Sequence, residues 1–254
     1  MHKNTVLEAR NVGKCFKIER GVFKQEAGKV CALDNVSFSL EKFSTLGIVG
    51  ESGSGKTTLA KIILKLIPPT YGEVIFNREE IQNFRKDIQL IFQNPYNSLN
   101  PRMRIIDALI EPLKIHNIVE AKFYKDRARE LLSMVGLDEQ ALSRYPIEFS
   151  GGQRQRICIA RALAVQPKAL VLDEPISSLD LTIQSQMLDL FLRLKEGLKL
   201  TYIFISHNLA VIRHIADSLI VMQNGRIVES GPIRNIFSHP ADSYTKLLLE
   251  AAGA

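Results

Sequence analysis

The sequence is short of cysteine, of long apolar runs, of repeats and of charge blocks, and each scarcity excludes something. Three cysteines in 254 residues, Cys15, Cys31 and Cys158, are odd in number, far apart and without a C-x-x-C pair, so all three read as reduced packing residues. No stretch approaches the roughly 18 to 20 uninterrupted apolar residues that span a bilayer. No charged-then-apolar leader opens the chain, and a cytosolic protein is the expectation. The net charge of +6 comes from 33 basic and 27 acidic residues interspersed along the chain, which describes a solvated basic face better than a nucleic-acid or membrane-surface footprint. What is present is ordinary for a globular protein: 46% hydrophobic and 24% charged residues. The length suits one α/β domain with an inserted or appended subdomain.

The run Gly50, Glu51, Ser52, Gly53, Ser54, Gly55, Lys56, Thr57, Thr58 fits the phosphate-binding pattern G-x-x-x-x-G-K-[ST]. Leu46 to Val49 precede it as an apolar strand. Leu59, Ile62, Ile63, Leu66 and Ile67 follow at helical spacing, with Pro68-Pro69 as the expected stop. Glycines at 50, 53 and 55 let the backbone curl until successive N–H groups face a polyphosphate, and the new helix adds its positive end. Lys56 is expected to reach the β- and γ-phosphates of ATP, and the Thr57 hydroxyl to ligate Mg²⁺.

A second set of strand ends carries the complementary chemistry. Ala169 to Asp173 is an apolar run of the kind a doubly covered parallel strand needs, and it ends in Asp173 and Glu174. In an open α/β sheet, ligands lie at the carboxyl ends of strands. Asp173 is therefore expected to hold Mg²⁺ and Glu174 to polarise the attacking water. Gln93, after the strand 88–92, can ligate the metal or orient water. His207, after the strand 201–206, can bond a γ-phosphate oxygen. Ser150, Gly151, Gly152 and Gln153 open another helix with a serine N-cap and bare N–H groups, a second phosphate-binding surface. Its economical use is to close over a nucleotide held by another chain, in a two-fold pair.

Assembled, these residues resemble the ATPase subunits of ATP-binding cassette transporters over nearly the whole chain. In that family's terms the Walker A motif lies at 50–58, the Q-loop glutamine at Gln93 and the signature motif at 149–153. The Walker B strand ends at Asp173 before Glu174, the D-loop runs from Ser177 to Asp180, and the H-loop histidine is His207. The resemblance implies that Phe16 stacks on adenine, that Asp180 lies in the nucleotide site, and that the catalytic set is Glu174, His207 and Gln93. Residues 92–103, the segment 17–31 and the tail from Phe237 to Leu248 resemble the importer branch for peptides and nickel. That branch implies a second, identical or similar ATPase subunit in a head-to-tail dimer, two membrane permease subunits and, indirectly, an extracytoplasmic binding protein. It also implies a peripheral place on the cytoplasmic face of the cell (inner) membrane, and no nucleic acid. The alternative is a soluble or regulatory ABC-type ATPase not coupled to transport.

The fold expected is α/β: a P-loop NTPase of the ABC ATPase type with an inserted helical subdomain and an antiparallel β element. Residues 1–93 and 150–254 are read as the core and 94–149 as the insertion. Within the insertion, 105–118 and 121–135 carry helical apolar spacing, with Gly136 as the stop of the second. Asn224-Gly225 between two apolar runs predicts a late hairpin.

Overall fold

A computed structural model describes residues 4–20, 25–92 and 98–252. The chain begins with β1 (Thr5–Arg20), β2 (Gln25–Glu41), β3 (Thr45–Val49), α1 (Lys56–Ile63) and β4 (Tyr71–Phe76). It continues through α2 (Phe84–Asp87), β5 (Ile88–Ile91), α3 (Ile105–Ile115), α4 (Tyr124–Met134), α5 (Gly151–Leu163), β6 (Ala169–Asp173) and α6 (Leu181–Leu198). The last stretch carries β7 (Thr201–Ile205), α7 (Leu209–Ile215), β8 (Ser218–Gln223), β9 (Arg226–Pro232), α8 (Ile233–Ser238) and α9 (Ser243–Ala251). Two compact units result, Met1–Ile81 with Ile203–Ala254 and Gln82–Tyr202, and the division falls inside β7.

In the first unit β1 is the middle of an antiparallel sheet ordered β2-β1-β4. The antiparallel β element expected of the fold is thus joined by a second one, because β9 pairs antiparallel with β8 across Asn224-Gly225. Both turn residues take positive φ, 48° and 79°, as a tight hairpin turn requires. β3 runs parallel to β8, and every residue of β3 is buried, which is why Leu46 to Val49 are apolar without alternation. A Cβ at Gly47 would stand 2.8 Å from Ile212 Cγ2, so the glycine lets α7 lie directly on β3. α1 stops at Ile63, short of the expected Pro68-Pro69 boundary, because the chain turns through Lys65 at φ 54° before the prolines are reached.

The reduced state expected for two of the cysteines is corrected here. Cys15 and Cys31 are direct partners in the β1–β2 register, and their sulfurs are bonded. They stand sixteen positions apart in sequence, but antiparallel pairing places them face to face. Cys158 is a buried free thiol, pushed up to about 11 by burial.

The second unit pairs β5 parallel with β6, from Ile88 opposite Ala169 to Ile91 opposite Leu172. Its helical segment follows the expected periodicity with shorter elements. α3 ends at Ile115, with Asn117 at φ 50°, and α4 is entered through the 3-10 turn Ala121–Phe123. Gly136 takes the left-handed stop at φ 72°. Leu109, Leu113, Leu131, Leu132 and Ile157 are fully buried and form the apolar centre of this part. Among the described residues no helix is long and apolar enough to cross a membrane.

Candidate nucleotide-binding site

The loop after β3 is built by its glycines. Gly50, Gly53 and Gly55 have φ of 151°, 83° and 104°, a region that L side chains rarely enter. Two of them are also walled in: a Cβ at Gly50 would stand 2.2 Å from the Met222 carbonyl oxygen, and one at Gly55 2.5 Å from that of Ala32. The loop is therefore clamped between β2 and the end of β8 while its inner side remains backbone. Lys56, 6% exposed, donates from Nζ to the carbonyl oxygens of Gly50 and Glu51, each at 2.8 Å, and to Ser54 Oγ at 3.3 Å. A buried ammonium so close to a ring of amides is poised to exchange carbonyl partners for phosphate oxygens. Thr57 lies exposed in the first turn of α1, whose N-cap Gly55 supplies no side chain and so leaves the helix N–H groups bare.

Two further expected residues lie in the same unit. Phe16 is 43% exposed, with Lys14 Nζ 5.2 Å from its ring centre, and it sits on β1 beside the strand that walls Gly55. His207 follows β7 and is exposed; its neighbours Ser206 and Asn208 are fixed by the Ser206 amide on the Ile48 carbonyl and by the Asn208 side chain capping α7.

The second unit carries the carboxylates and the glycine pair. Asp173 closes β6, and Glu174 follows in a left-handed conformation, φ 48°, immediately before Pro175. A residue before proline is normally extended, so this geometry costs of order 1–3 kcal/mol and is held by the Ser177 amide and hydroxyl on the Glu174 carbonyl. Strained backbone of this kind, unlike the left-handed helix stops at Lys65 and Asn117, clusters at functional sites. Ser150 caps α5 reciprocally with Gln153: the serine hydroxyl accepts the Gln153 amide at 3.3 Å and the glutamine side chain accepts the Ser150 amide at 3.0 Å. Gly151 has room for a Cβ, 3.6 Å from Leu179, whereas at Gly152 a Cβ would press to 2.8 Å on Ile183. The second glycine is thus required by packing on α6. Asp180 N-caps α6 through the Ile183 amide at 2.9 Å. Gln93 lies outside the described residues, as do Tyr96 and Asn97.

A model of the ABC transporter family matches residues 33–177. The chain belongs to that family. It is an ATP-binding, ATP-hydrolysing member, and its fold is that of the ABC ATPases. Among curated relatives, the di/tripeptide transport ATP-binding protein DppF of Pseudomonas aeruginosa is 45% identical over 98% of this chain and 80% of its own. The oligopeptide transport ATP-binding protein AppF of Bacillus subtilis is 44% identical over 98% and 79%. The glutathione import ATP-binding protein GsiA of Escherichia coli is 45% identical over 97% of this chain but 41% of its own. Among solved structures, a dimeric ATP-binding cassette in a post-hydrolysis state with ADP and phosphate superposes with a TM-score of 0.76 at 29% identity, covering 90% of this chain and 99% of that one.

For this ABC ATPase, sequence patterns found the loop, the carboxylates and the capped glycine helix, all of them local. They missed the residues that hold the loop from a distance. Ala32 gives the carbonyl that closes over Gly55, and the Tyr244 hydroxyl accepts the Glu51 amide at 3.1 Å across 193 residues of sequence. Tyr244 stood out only as part of the tail shared with importers. Nothing in its spacing ties it to the loop.

Proposed function

We propose that this chain is the ATPase subunit of a peptide importer, working beneath membrane subunits. The observation that carries the reading is the phosphate loop, with its three positive-φ glycines and its buried lysine, in a chain 43–45% identical to peptide-transport ATP-binding proteins over nearly its whole length. Lys56 neutralises the β- and γ-phosphates, the loop amides beyond Glu51, as far as Thr58, and the N-terminus of α1 cradle them, and Phe16 offers its exposed face to adenine. Thr57 and Asp173 are the proposed ligands of Mg²⁺, joined by Gln93. A hydroxyl and one carboxylate suit an ion that arrives on nucleotide phosphates. When bound, the ion supplies charge neutralisation of the phosphates.

Glu174 takes the proton of the attacking water, and its left-handed backbone is the support for assigning it as base. His207 and Gln93 orient the γ-phosphate and the water. Ser150, Gly151, Gly152, Gln153 and Asp180 act on the nucleotide of a second, identical or similar ATPase subunit placed head to tail. We further assign residues 94–149 as an inserted helical subdomain within a core made of 1–93 and 150–254. A groove of about 250 Å³ in the second unit, lined in part by Phe92, Ser98, Ile115, His116 and Arg161, supports docking of a permease loop there. The protein is then peripheral on the cytoplasmic face of the membrane, and an extracytoplasmic binding protein feeds the permease.

Replacing Glu174 by Gln keeps the shape and removes the base. Hydrolysis by the assembled transporter should fall by about 10²-fold or more while ATP still binds. Hydrolysis at the parent rate would take the base role from Glu174.

A further inference from the structure

We infer that Tyr244 is a positioning residue for the phosphate loop, fixing the Gly50–Glu51 peptide from α9. The inference rests on the reading of residues 50–58 as the nucleotide loop and adds a part of the chain that no pattern in the loop requires. The contact is a single bond: the Glu51 N–H donates to Tyr244 Oη at 3.1 Å. Its consequence follows from the geometry of a peptide unit. The Glu51 N–H and the Gly50 carbonyl belong to one planar trans peptide and point in opposite directions. The same Gly50 carbonyl accepts Lys56 Nζ at 2.8 Å. Holding the N–H on one side therefore aims the carbonyl at the lysine on the other.

Gly50 is where this plane would otherwise turn. The 50–51 plane turns about ψ of Gly50 and φ of Glu51, Gly50 has no Cβ to resist that rotation, and a flip would present an N–H to Lys56 in place of a carbonyl. Tyr244 blocks that flip. Packing alone does not call for the hydroxyl: the ring, 7% exposed, would be equally buried as phenylalanine. Burial raises the Tyr244 pKa further, so the hydroxyl keeps its proton.

The tyrosine is itself held from a third place. It occupies the first turn of α9, where the Asp242 carboxylate caps the Tyr244 amide at 2.8 Å. The chain entering the helix is tied to β9, since the Glu229 carboxylate accepts the amides of Ala241 at 2.9 Å and Asp242 at 3.1 Å. A continuous set of bonds thus runs from β9 through the cap of α9 to the second residue of the loop. All of its members lie in one compact unit.

The test is Tyr244→Phe in the full chain, with Lys56→Ala and Leu247→Ala alongside; Leu247 is an exposed residue of the same helix. Losing one net hydrogen bond that pre-orients the loop should weaken ATP binding by about three- to tenfold in Tyr244→Phe. In the assembled transporter KM for ATP should rise with kcat held within about twofold. Amide exchange at Glu51 should quicken, the melting temperature without nucleotide should stay within about 2 °C, and Leu247→Ala should change none of these. Unchanged ATP affinity and unchanged Glu51 exchange in Tyr244→Phe, with binding lost in Lys56→Ala, would overturn the positioning role and leave the loop reading intact. A lower melting temperature with unchanged affinity would overturn it equally, since that is what a packing residue does. Full ATP affinity in Lys56→Ala would remove the loop reading, and this inference with it.

Discussion

At the residue scale, the glycines of the phosphate loop are required for different reasons, and substitution should separate them. Gly53 has φ 83° and open space where a Cβ would point, so Gly53→Ala meets only the backbone penalty of the left-handed side, about 1–2 kcal/mol. Gly55 has φ 104° and the Ala32 carbonyl oxygen 2.5 Å from the Cβ position, so Gly55→Ala must also push backbone away. Gly53→Ala is expected to fold with a melting temperature lower by roughly 2–8 °C. Gly55→Ala should fall further and lose ATP binding. Thermal unfolding of the two variants decides the point; equal losses would mean that the β2 wall does not constrain the loop. The sulfur pair belongs to this scale as well: Cys15 and Cys31 are ordinary in sequence and become partners only because strand register places one opposite the other.

At the element scale, the anchorage of α9 is a carboxylate device with a pH signature. Burial of Glu229 works against its charge, but the Ala241 amide, the Thr245 hydroxyl, the Asp242 amide and the Lys246 charge together outweigh it and hold the group below its ordinary value of 4.5. A carboxylate lowered on folding contributes stability that is present above its unfolded pKa and lost as pH falls through its folded one. The difference in melting temperature between the parent and Glu229→Gln should therefore be constant above about pH 5 and close as pH drops below 4.5. A difference that persists unchanged into stronger acid would assign the anchorage to shape and not to charge. The elements most legible in the sequence are those whose signals are local. The Asn224-Gly225 turn, the Gly136 stop, the Ser150 capping box and the apolar runs of β3 and β6 are each written within a few residues of where they act. The loop's outer supports, Ala32 and Tyr244, were not legible. Their roles come from strand pairing and helix docking over long separations, and no period or spacing encodes such a contact. Gly152 was half legible: its bare N–H was read, but its fit against Ile183 depends on where α6 lies.

At the scale of the whole molecule, the proposed pairing of two chains divides each active site between subunits, and that division can be tested without knowing the transported solute. Lys56 lies in one compact unit and the Ser150 helix start in the other. In the proposed head-to-tail dimer, each nucleotide meets Lys56 of one subunit and Ser150 of its mate. Lys56→Ala then disables the holding half of a site, because it removes the buried ammonium that faces the loop carbonyls. Ser150→Arg disables the covering half, because it destroys the hydroxyl cap and puts bulk and charge at the start of α5. Each variant alone should be inactive in turnover, yet isolated Ser150→Arg chains should bind ATP like the parent. In a mixed dimer the defects fall together on one of the two sites and leave the other with both halves intact. If the chain pairs with itself, mixing equal amounts of the two inactive proteins should restore roughly a quarter of parent turnover, since about half of the randomly formed dimers are mixed and each carries one whole site. No recovery with an identical chain, but recovery when the variants sit on two similar subunits, would make the assembly a heterodimer. Full activity of Ser150→Arg alone would show that each chain completes its own site and would end the proposal of a shared one.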